Sequence, residues 1–525
     1  MADTAVPTSS GVRTAEIIAA MSMTTDLAMG FPLEHGLRSC VIAARLCDRL
    51  EVDAETASQA YFLSLLFHVG CNAPADVGWE VFGDDVSLTT YATPFRFGTR
   101  AQMVRGMMLA VAPPTSPPHL RAWRLSRHLP QLAIGFAGVV DATCEVARML
   151  TVELGLGTPV SNLFAFESAR WDGKGFPGGV AGEEIPIAVR IAQVARDSAF
   201  QLMLGDSDYV ADVISQRAAK AFDPIVAKVL TRDAGGILDS DSELILWDLA
   251  LGYEPEPLLT LDGDAIDRAL TAMGHFGDMA IPELVGHSSG VATTCRAAAQ
   301  ILSFDSADTL TVHRAALVHD LGRAAVPVRT WSKRGTLTVD EWERVRLHAY
   351  HTERILTQSP FLSELVPTAG FHHERVDGTG YHRGVGASSM QRPARLLAAA
   401  DAYHAMTEPR PHRAALTRKA AADVLAEETR EGRHDPEAVA AVLEGAGHHR
   451  PAVTWPAGLT DREIQVVRLL ARGLQTKQVA RALEISHKTV DFHIQSAYRK
   501  IGVSTRAGAT LFAMQHGLTT WENSR

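Results

Sequence analysis

Apolar residues fall at helical spacing along most of the chain. Between Thr14 and about Leu230 they recur at Ile17, Ile18 and Met21, and again at Val41, Ala44, Leu46 and Leu50, the mark of buried helix faces. The same periodicity returns from about Asp264 to Gly447, rich in Ala and Leu with charged residues between. Alternation at every second position is sparse, so the pattern predicts an all-α fold. Met1 to Arg13 is polar and predicts a disordered tail. Near the C-terminus, Thr460 followed by Glu463 reads as a capping box opening a helix that runs to Arg472 and stops at Gly473. A second helix begins near Thr476 with Val479, Ala480 and Leu483 on one face. Ser486 caps a third, from His487 to about Lys500, and a fourth starts near Thr505.

The two long helical stretches resemble each other. Trp171-Asp172-Gly173-Lys174-Gly175-Phe176-Pro177 answers Val376-Asp377-Gly378-Thr379-Gly380-Tyr381-His382, and Val189-Arg190-Ile191 answers Ala394-Arg395-Leu396 at the same offset. Phe222-Asp223-Pro224 answers His434-Asp435-Pro436; His35 answers His287; His68-Val69 answers His319-Asp320. The first copy carries a longer insertion, roughly Asn72 to Pro130. The expected organisation is a tail (1–13), a helical domain (14–235), a linker (236–263), a second copy of that domain (264–448), a Pro- and Gly-bearing linker (449–458) and a small C-terminal domain (459–525).

A length of 525 residues suits three or four domains. Apolar content of 46% and charged content of 21% are ordinary for globular protein. The five cysteines are scattered without a CxxC pair, which argues against a disulfide framework and for a reducing compartment. No long uninterrupted apolar run is present: even Gln131 to Leu150 contains Asp141, Glu145 and Arg148. With no secretory pattern at the start, a cytoplasmic location without a membrane partner is expected. The net charge of -10 is uneven. Ala452 to Arg525 holds ten Lys or Arg against five Asp or Glu, about +5, leaving about -15 elsewhere. A basic module on an acidic chain points toward nucleic acid.

Metal-type residues collect in the second copy: His287, His319, Asp320, His348, His372, His373 and Asp401. Imidazole suits borderline transition metals and carboxylate suits harder ones, so His372-His373-Glu374 reads as the start of a metal site. Asp401 interrupts the apolar run Leu396 to Ala400, where an unpaired buried carboxylate would be costly. A binuclear hydrolytic centre needs such groups converging from several helices, with a carboxylate shared between the ions. In the first copy the counterparts are His35, His68-Val69, about Thr143, Glu167-Ser168 and Arg196. Val69 cannot ligate a metal, and Arg196 puts a positive charge where a carboxylate should sit.

From about Asp264 to His448 the chain resembles the HD-GYP family of HD-domain phosphohydrolases. The likeness rests on His319-Asp320-Leu321-Gly322, on His372-His373-Glu374 through Asp377-Gly378-Thr379-Gly380-Tyr381, on Asp401 and on Arg410-Pro411-His412-Arg413. It implies hydrolysis of a cyclic dinucleotide, with cyclic di-GMP first in line, at two divalent ions of iron or manganese. It makes His287, His319, Asp320, His348, His372, His373 and Asp401 the ligands, with Asp320 bridging and a third ion possible through Glu283. Asp320, Arg410 and Arg413 become the catalytic set, the arginines holding phosphate. Departures from the family are Arg323 for lysine, Thr352 for glycine, His382 for the proline of the naming loop and His404 for a second aspartate. The first copy reads as a degenerate, catalytically dead HD-type domain.

Leu459 to Leu518 resembles the LuxR-type helix-turn-helix domain, through Leu459-Thr-x-Arg-Glu463, Ala471-Arg-Gly473, Ser486-x-Lys-Thr-Val490, His493 and Lys500-Ile-Gly-Val503. This implies a homodimer on double-stranded DNA, with Lys488, Thr489 and His493 facing the major groove and Lys477, Arg499 and Lys500 contacting phosphate. The expectation is a bacterial transcription regulator that couples a metal-dependent phosphodiesterase domain to sequence-specific DNA binding. The competing expectation is a nucleotide or metal sensor that controls DNA binding without turnover.

Overall fold

A computed structural model of the chain describes residues 11–71, 88–176, 178–239, 245–448, 455–471, 473–504, 506–516 and 518. Pro177, most of the expected tail, part of the insertion and most of the second linker lie outside them, as do the expected helix boundaries at Arg472 and Thr505. Among the described residues the named secondary-structure elements are helices apart from one two-stranded antiparallel sheet. They divide into two compact units: Met1–Val285 with Leu321–Leu337 and Arg354–Ser363, and Gly286–Asp320 with Thr338–Glu353 and Glu364–Arg525.

The first repeat comprises α1 (Thr14–Ala28), α2 (His35–Leu50), α3 (Ala54–Leu65), α4 (Arg100–Val111), α5 (Pro118–Glu153), α6 (Ile187–Gln201), α7 (Ser207–Arg217) and α8 (Pro224–Arg232). The second comprises α9 (Gly263–Met279), α10 (His287–Ile301), α11 (Ser306–Val318), α12 (Val339–Arg346), α13 (His348–Leu356), α14 (Arg392–Thr407), α15 (Arg418–Arg430) and α16 (Pro436–Gly445). The correspondence is one of packing as well as sequence: α2 lies against α3, α6 and α8, and α10 lies against α11, α14 and α16. Asp223 and Asp435 cap α8 and α16. Each also takes a guanidinium from the helix two before, Asp223 from Arg190 on α6 at 2.5 Å and Asp435 from Arg395 on α14 at 3.1 Å. Asp26 of α1 accepts the Gly36 amide at the start of α2.

The loops named by their glycines also correspond. Gly173 and Gly378 have φ of +71° and +80°, a region that side chains disfavour. A Cβ at Gly175 or Gly380 would lie 2.5 Å from the backbone of Arg170 or Glu374. Both loops are therefore shaped by backbone needs that do not depend on metal.

The sequence reading of the segment boundaries needs two corrections. Val12–Arg13 is not tail but a strand, β1, paired with β2 at Thr260–Leu261. The stretch 236–263 is not a loose linker, because Ile237, Leu238, Trp247 and Ala250 are buried and Tyr61 donates its hydroxyl to the Ala250 carbonyl. Burial of apolar side chains, which the polar flanks masked, holds this segment to the first repeat.

The C-terminal module has α17 (Asp461–Ala471), α18 (Thr476–Ala482), α19 (His487–Ile501) and α20 (Arg506–Gln515). The expected caps are formed. Glu463 accepts the Thr460 amide while Thr460 accepts the Glu463 amide, and Ser486 accepts the Thr489 amide. Val466, Leu470, Val479, Ala480 and Val490 bury one seam, and Trp455, Leu459, Ile464, Val467, Ala497 and Ala513 another. No described helix is long and apolar enough to cross a membrane.

Candidate metal centre

The seven expected ligands converge in one place. Asp320, His348, His372 and His373 form one cluster, and His287, His319, Asp320 and Asp401 form a second, with ligand atoms of each within 4.8 Å of one another. Asp320 belongs to both. Its Oδ1 lies 3.2 Å from His348 Nε2 and 3.3 Å from His372 Nε2, while its Oδ2 lies 2.9 Å from His319 Nε2 and 3.4 Å from His287 Nε2. Asp401 Oδ1 stands 3.1 Å from His287 Nε2, and its Oδ2 stands 3.5 Å from His373 Nδ1. All but His373 are fully buried.

Local structure fixes the tautomer of most of these rings. His319, His348 and His372 each turn Nδ1 to a backbone carbonyl three residues earlier, that of Ala316, Val345 or Ala369. The Nδ1 proton is thereby committed and Nε2 is the atom that faces inward. His348 Nε2 and His372 Nε2 then meet at 3.1 Å, both turned to the same point as Asp320 Oδ1. Five imidazoles with two carboxylates converging on one place are a donor set for a borderline divalent metal. The residues fit the group that the sequence pattern implies.

The electrostatics agree. Burial works against the charged form of His319, yet Asp320 and Asp401 outweigh it and raise the ring from 6.5 to about 9. Burial, with His372 added to it, pushes His373 well below its ordinary value. Burial opposes ionisation of Asp401, but His287 and His319 prevail and hold it well below the usual carboxylate range.

Several residues around the cluster are placed differently from expectation. Glu374, third of the His-His-Glu step, joins neither cluster; it accepts the amides of Arg383 and Val385 at 3.0 and 3.1 Å and so closes the glycine loop. Glu283 is in none of the clusters among the described residues. Arg413 points its guanidinium at the carbonyls of Ala405, Met406, Glu408 and Ala414, which makes it a brace for its own loop rather than a phosphate hand. Arg410 pairs with Glu408 at 2.9 Å. Thr352 donates to the His319 carbonyl at 2.9 Å, and Tyr381 stacks on His373 with centroids 4.2 Å apart. Sequence reasoning missed Glu408, which contacts His287, although its step of two helical turns from Asp401 puts it on the same side of α14.

The first repeat holds a different arrangement at the equivalent place. Arg196, at the position of Asp401, donates Nε to His68 Nε2 at 2.8 Å and lies over the rings of Phe67 and Phe97. Burial, Arg196 and Arg38 together lower His35 from 6.5 to about 3. Arg96, from the insertion, takes Glu167 at 2.5 Å and Ser168 at 2.9 Å. Those two residues stand where the second repeat has His372 and His373.

In the C-terminal module Lys477, Lys488, Thr489 and Arg499 are exposed, and His493 is half-buried on α19. Lys500 is engaged within the fold instead, bonding Glu463 at 2.7 Å and the Gly458 carbonyl at 3.0 Å. Burial opposes the charge on Glu463, but Lys500, Ser496 and Thr460 outweigh it and hold the acid at about 2.

Comparison with known proteins agrees with this geometry. Residues 278–438 match the HD domain family, and residues 457–513 match the bacterial regulatory proteins of the luxR family. The chain joins an HD phosphohydrolase domain to a LuxR-type DNA-binding domain. A 3'3'-cGAMP-specific phosphodiesterase of Vibrio cholerae is 28% identical over 439 residues, spanning 81% of this chain and 93% of that protein. A cyclic di-GMP phosphodiesterase of Pseudomonas aeruginosa is 36% identical over 134 residues, or 25% of this chain and 32% of that protein. The crystal structure of a cyclic GMP-AMP specific phosphodiesterase from V. cholerae superposes with a TM-score of 0.56 at 24% identity, covering 83% of this chain and 98% of that one. That likeness extends over both repeats and shows the fold. HD domains are metal-dependent, so metal dependence comes with the family, while the identity and number of the ions do not.

Proposed function

We propose that the second HD-type repeat hydrolyses a cyclic dinucleotide with two divalent ions, iron or manganese, and that this activity is tied to DNA binding by the LuxR-type module. The observation that carries the reading is the sharing of Asp320 between two buried clusters, one oxygen to each. His348, His372 and His373 complete one set of ligands, and His287, His319 and Asp401 the other. Two ions bound there would lower the pKa of a water and offset charge on the phosphoryl oxygens.

The chain supplies the geometry. Neutral imidazoles with committed Nδ1 protons present lone pairs in fixed directions, and two carboxylates offset the positive charge. The loop closed by Glu374 sets Tyr381 against His373, forming one wall of the centre. Arg410 is the remaining guanidinium of the Arg-Pro-His-Arg stretch for an incoming phosphate. Both cyclic di-GMP and 3'3'-cGAMP fall in the substrate class, the second favoured by the extent of the match across both repeats. Lys477, Lys488, Thr489, His493 and Arg499 form the DNA-facing set, and dimerisation supplies a two-fold site.

The test is metal content after anaerobic purification, then hydrolysis of both dinucleotides by wild type and Asp320→Ala. Two metal equivalents and turnover that drops about a thousandfold in the variant are expected. A metal-free wild type, or turnover indifferent to Asp320, removes the catalytic reading. Metal and nucleotide binding without turnover would instead support the sensor. Lys488→Ala/Thr489→Ala should abolish specific DNA binding while sparing hydrolysis.

A further inference from the structure

His287 is held by a different kind of group from His319, His348 and His372. His319, His348 and His372 have their Nδ1 protons held by carbonyls three residues earlier, inside or at the end of a helix. His287 is the first residue of α10 and follows Gly286, whose φ is +86°, and a carboxylate stands at its Nδ1. The atom points instead to Glu408 Oε2 at 2.9 Å, just past the end of α14. Arg410 reaches that same oxygen at 2.9 Å, and His404 Nδ1 lies 2.7 Å from Oε1.

This arrangement is built into two helices. Position 404, where the HD-GYP pattern has aspartate, carries a histidine whose ring stands 5.5 Å from that of His287. On α10, a Cβ at Gly290 would lie 2.0 Å from His404 Nε2, so glycine there makes room for the ring. The carboxylate sits one helical turn further along, at Glu408, on the same side of α14.

We propose that Glu408 is the positioning residue of His287. It fixes the Nδ1–H tautomer and aims Nε2 at the metal cluster, taking the place of a carboxylate at position 404, with His404 and Arg410 clamping it. A carboxylate behind a ligating imidazole both orients the ring and raises its basicity. His287, His404 and Glu408 also lie close enough to hold an ion of their own, but His287 Nε2 already faces Asp320 and Asp401, so a second ion on Nδ1 would require the ring to lose both protons. The direct 2.9 Å contact favours a hydrogen bond over a third ion.

The inference rests on the metal reading, and the experiment separates the two. Manganese(II) is titrated into the metal-free full-length chain by calorimetry, reading affinity and stoichiometry, beside melting of the metal-free form. Glu408→Ala should keep two equivalents and lower the affinity of one by about 10- to 100-fold, with the other little changed. Glu408→Gln, which keeps the shape and one acceptor, should fall between and serves if the alanine variant does not fold. His404→Asp in the Glu408→Ala background should recover most of the affinity, which a purely structural role would not allow. Wild-type affinity in both Glu408 variants overturns the proposal and leaves the metal reading standing. A wild type with three equivalents, dropping to two in Glu408→Ala, makes Glu408 a ligand and also overturns it. A wild type that binds no manganese removes both.

Discussion

The two repeats share a backbone plan and differ in the sign of one buried charge. At corresponding points on α6 and α14 stand Arg196 and Asp401, each fully buried. Around Arg196, His35 and His68 are neutral, with burial and then the guanidinium pushing both rings down. Around Asp401 and Asp320, the buried His319 is instead raised to about 9. A guanidinium is a cation that cannot leave, and it uses a hydrogen bond to His68 where a metal would use a coordination bond. The fold around it persists: the Arg190–Asp223 and Arg395–Asp435 pairs, the capped helices and the glycine loops are present in both copies. The comparison teaches that the helical scaffold does not need the metal, and that loss of a site can be completed by filling it.

The largest test converts one repeat into the other. Val69→Asp/Arg196→Asp would give the first repeat His35, His68 and two aspartates, the pattern of His287, His319, Asp320 and Asp401. Calorimetry or metal analysis should show one extra manganese equivalent, while Val69→Asp alone should add none because Arg196 still holds the place of the cation. An unchanged stoichiometry in a folded double variant would mean that the geometry of the first repeat, as well as its charge, has drifted from the metal-binding form.

A medium-sized effect is expected from pH in the metal-free chain. His35 is lowered from 6.5 to about 3, so folded and unfolded forms both leave it neutral above pH 6.5 and it adds no slope there. His319 is raised from 6.5 to about 9. Its contribution is complete below pH 6.5, and is lost as pH rises to about 9 and the folded form releases its proton. Between those limits hydrogen exchange should show α10 and α11 losing protection while α2 and α3 do not. Saturating manganese should abolish the difference, since metal displaces the same proton. Equal loss in both repeats would contradict the charge contrast.

Much of this was legible in the sequence because it is repeated there. The common offset of Asp172 with Asp377, and of Arg190 with Arg395, marks equivalent positions in the two copies, and all seven candidate ligands meet in one centre. The expectations that failed did so for physical reasons. Residues 236–263 are expected as linker, yet Trp247 and Ala250 are buried. Glu374 looked like a ligand because it follows two histidines, but its carboxylate is taken by two loop amides. Lys500 is a phosphate contact by resemblance, and in the fold its ammonium lies 2.7 Å from Glu463. Contacts between residues distant in sequence decided each case, and composition does not report them.

The smallest expected effect concerns a departure that the comparison explains. Thr352 stands where the family pattern has glycine, and its buried hydroxyl donates to the His319 carbonyl at 2.9 Å. In the first repeat the corresponding carbonyl, that of His68, accepts the Cys71 amide at 2.9 Å. Each copy thus satisfies the carbonyl at the turn that carries its histidine, one through a side chain and one through the backbone. Thr352→Ala leaves that carbonyl without its hydroxyl partner and should lower stability by about 1 kcal/mol, read as a shift in the denaturant midpoint with unchanged slope. Because the hydroxyl acts on the backbone of His319 and not on its ring, whose Nδ1 is held by Ala316, manganese affinity should change by less than about threefold. A loss of affinity much larger than the loss of stability would show that Thr352 helps to aim His319, and that the second repeat needs its turn held more rigidly than the metal-free first repeat does.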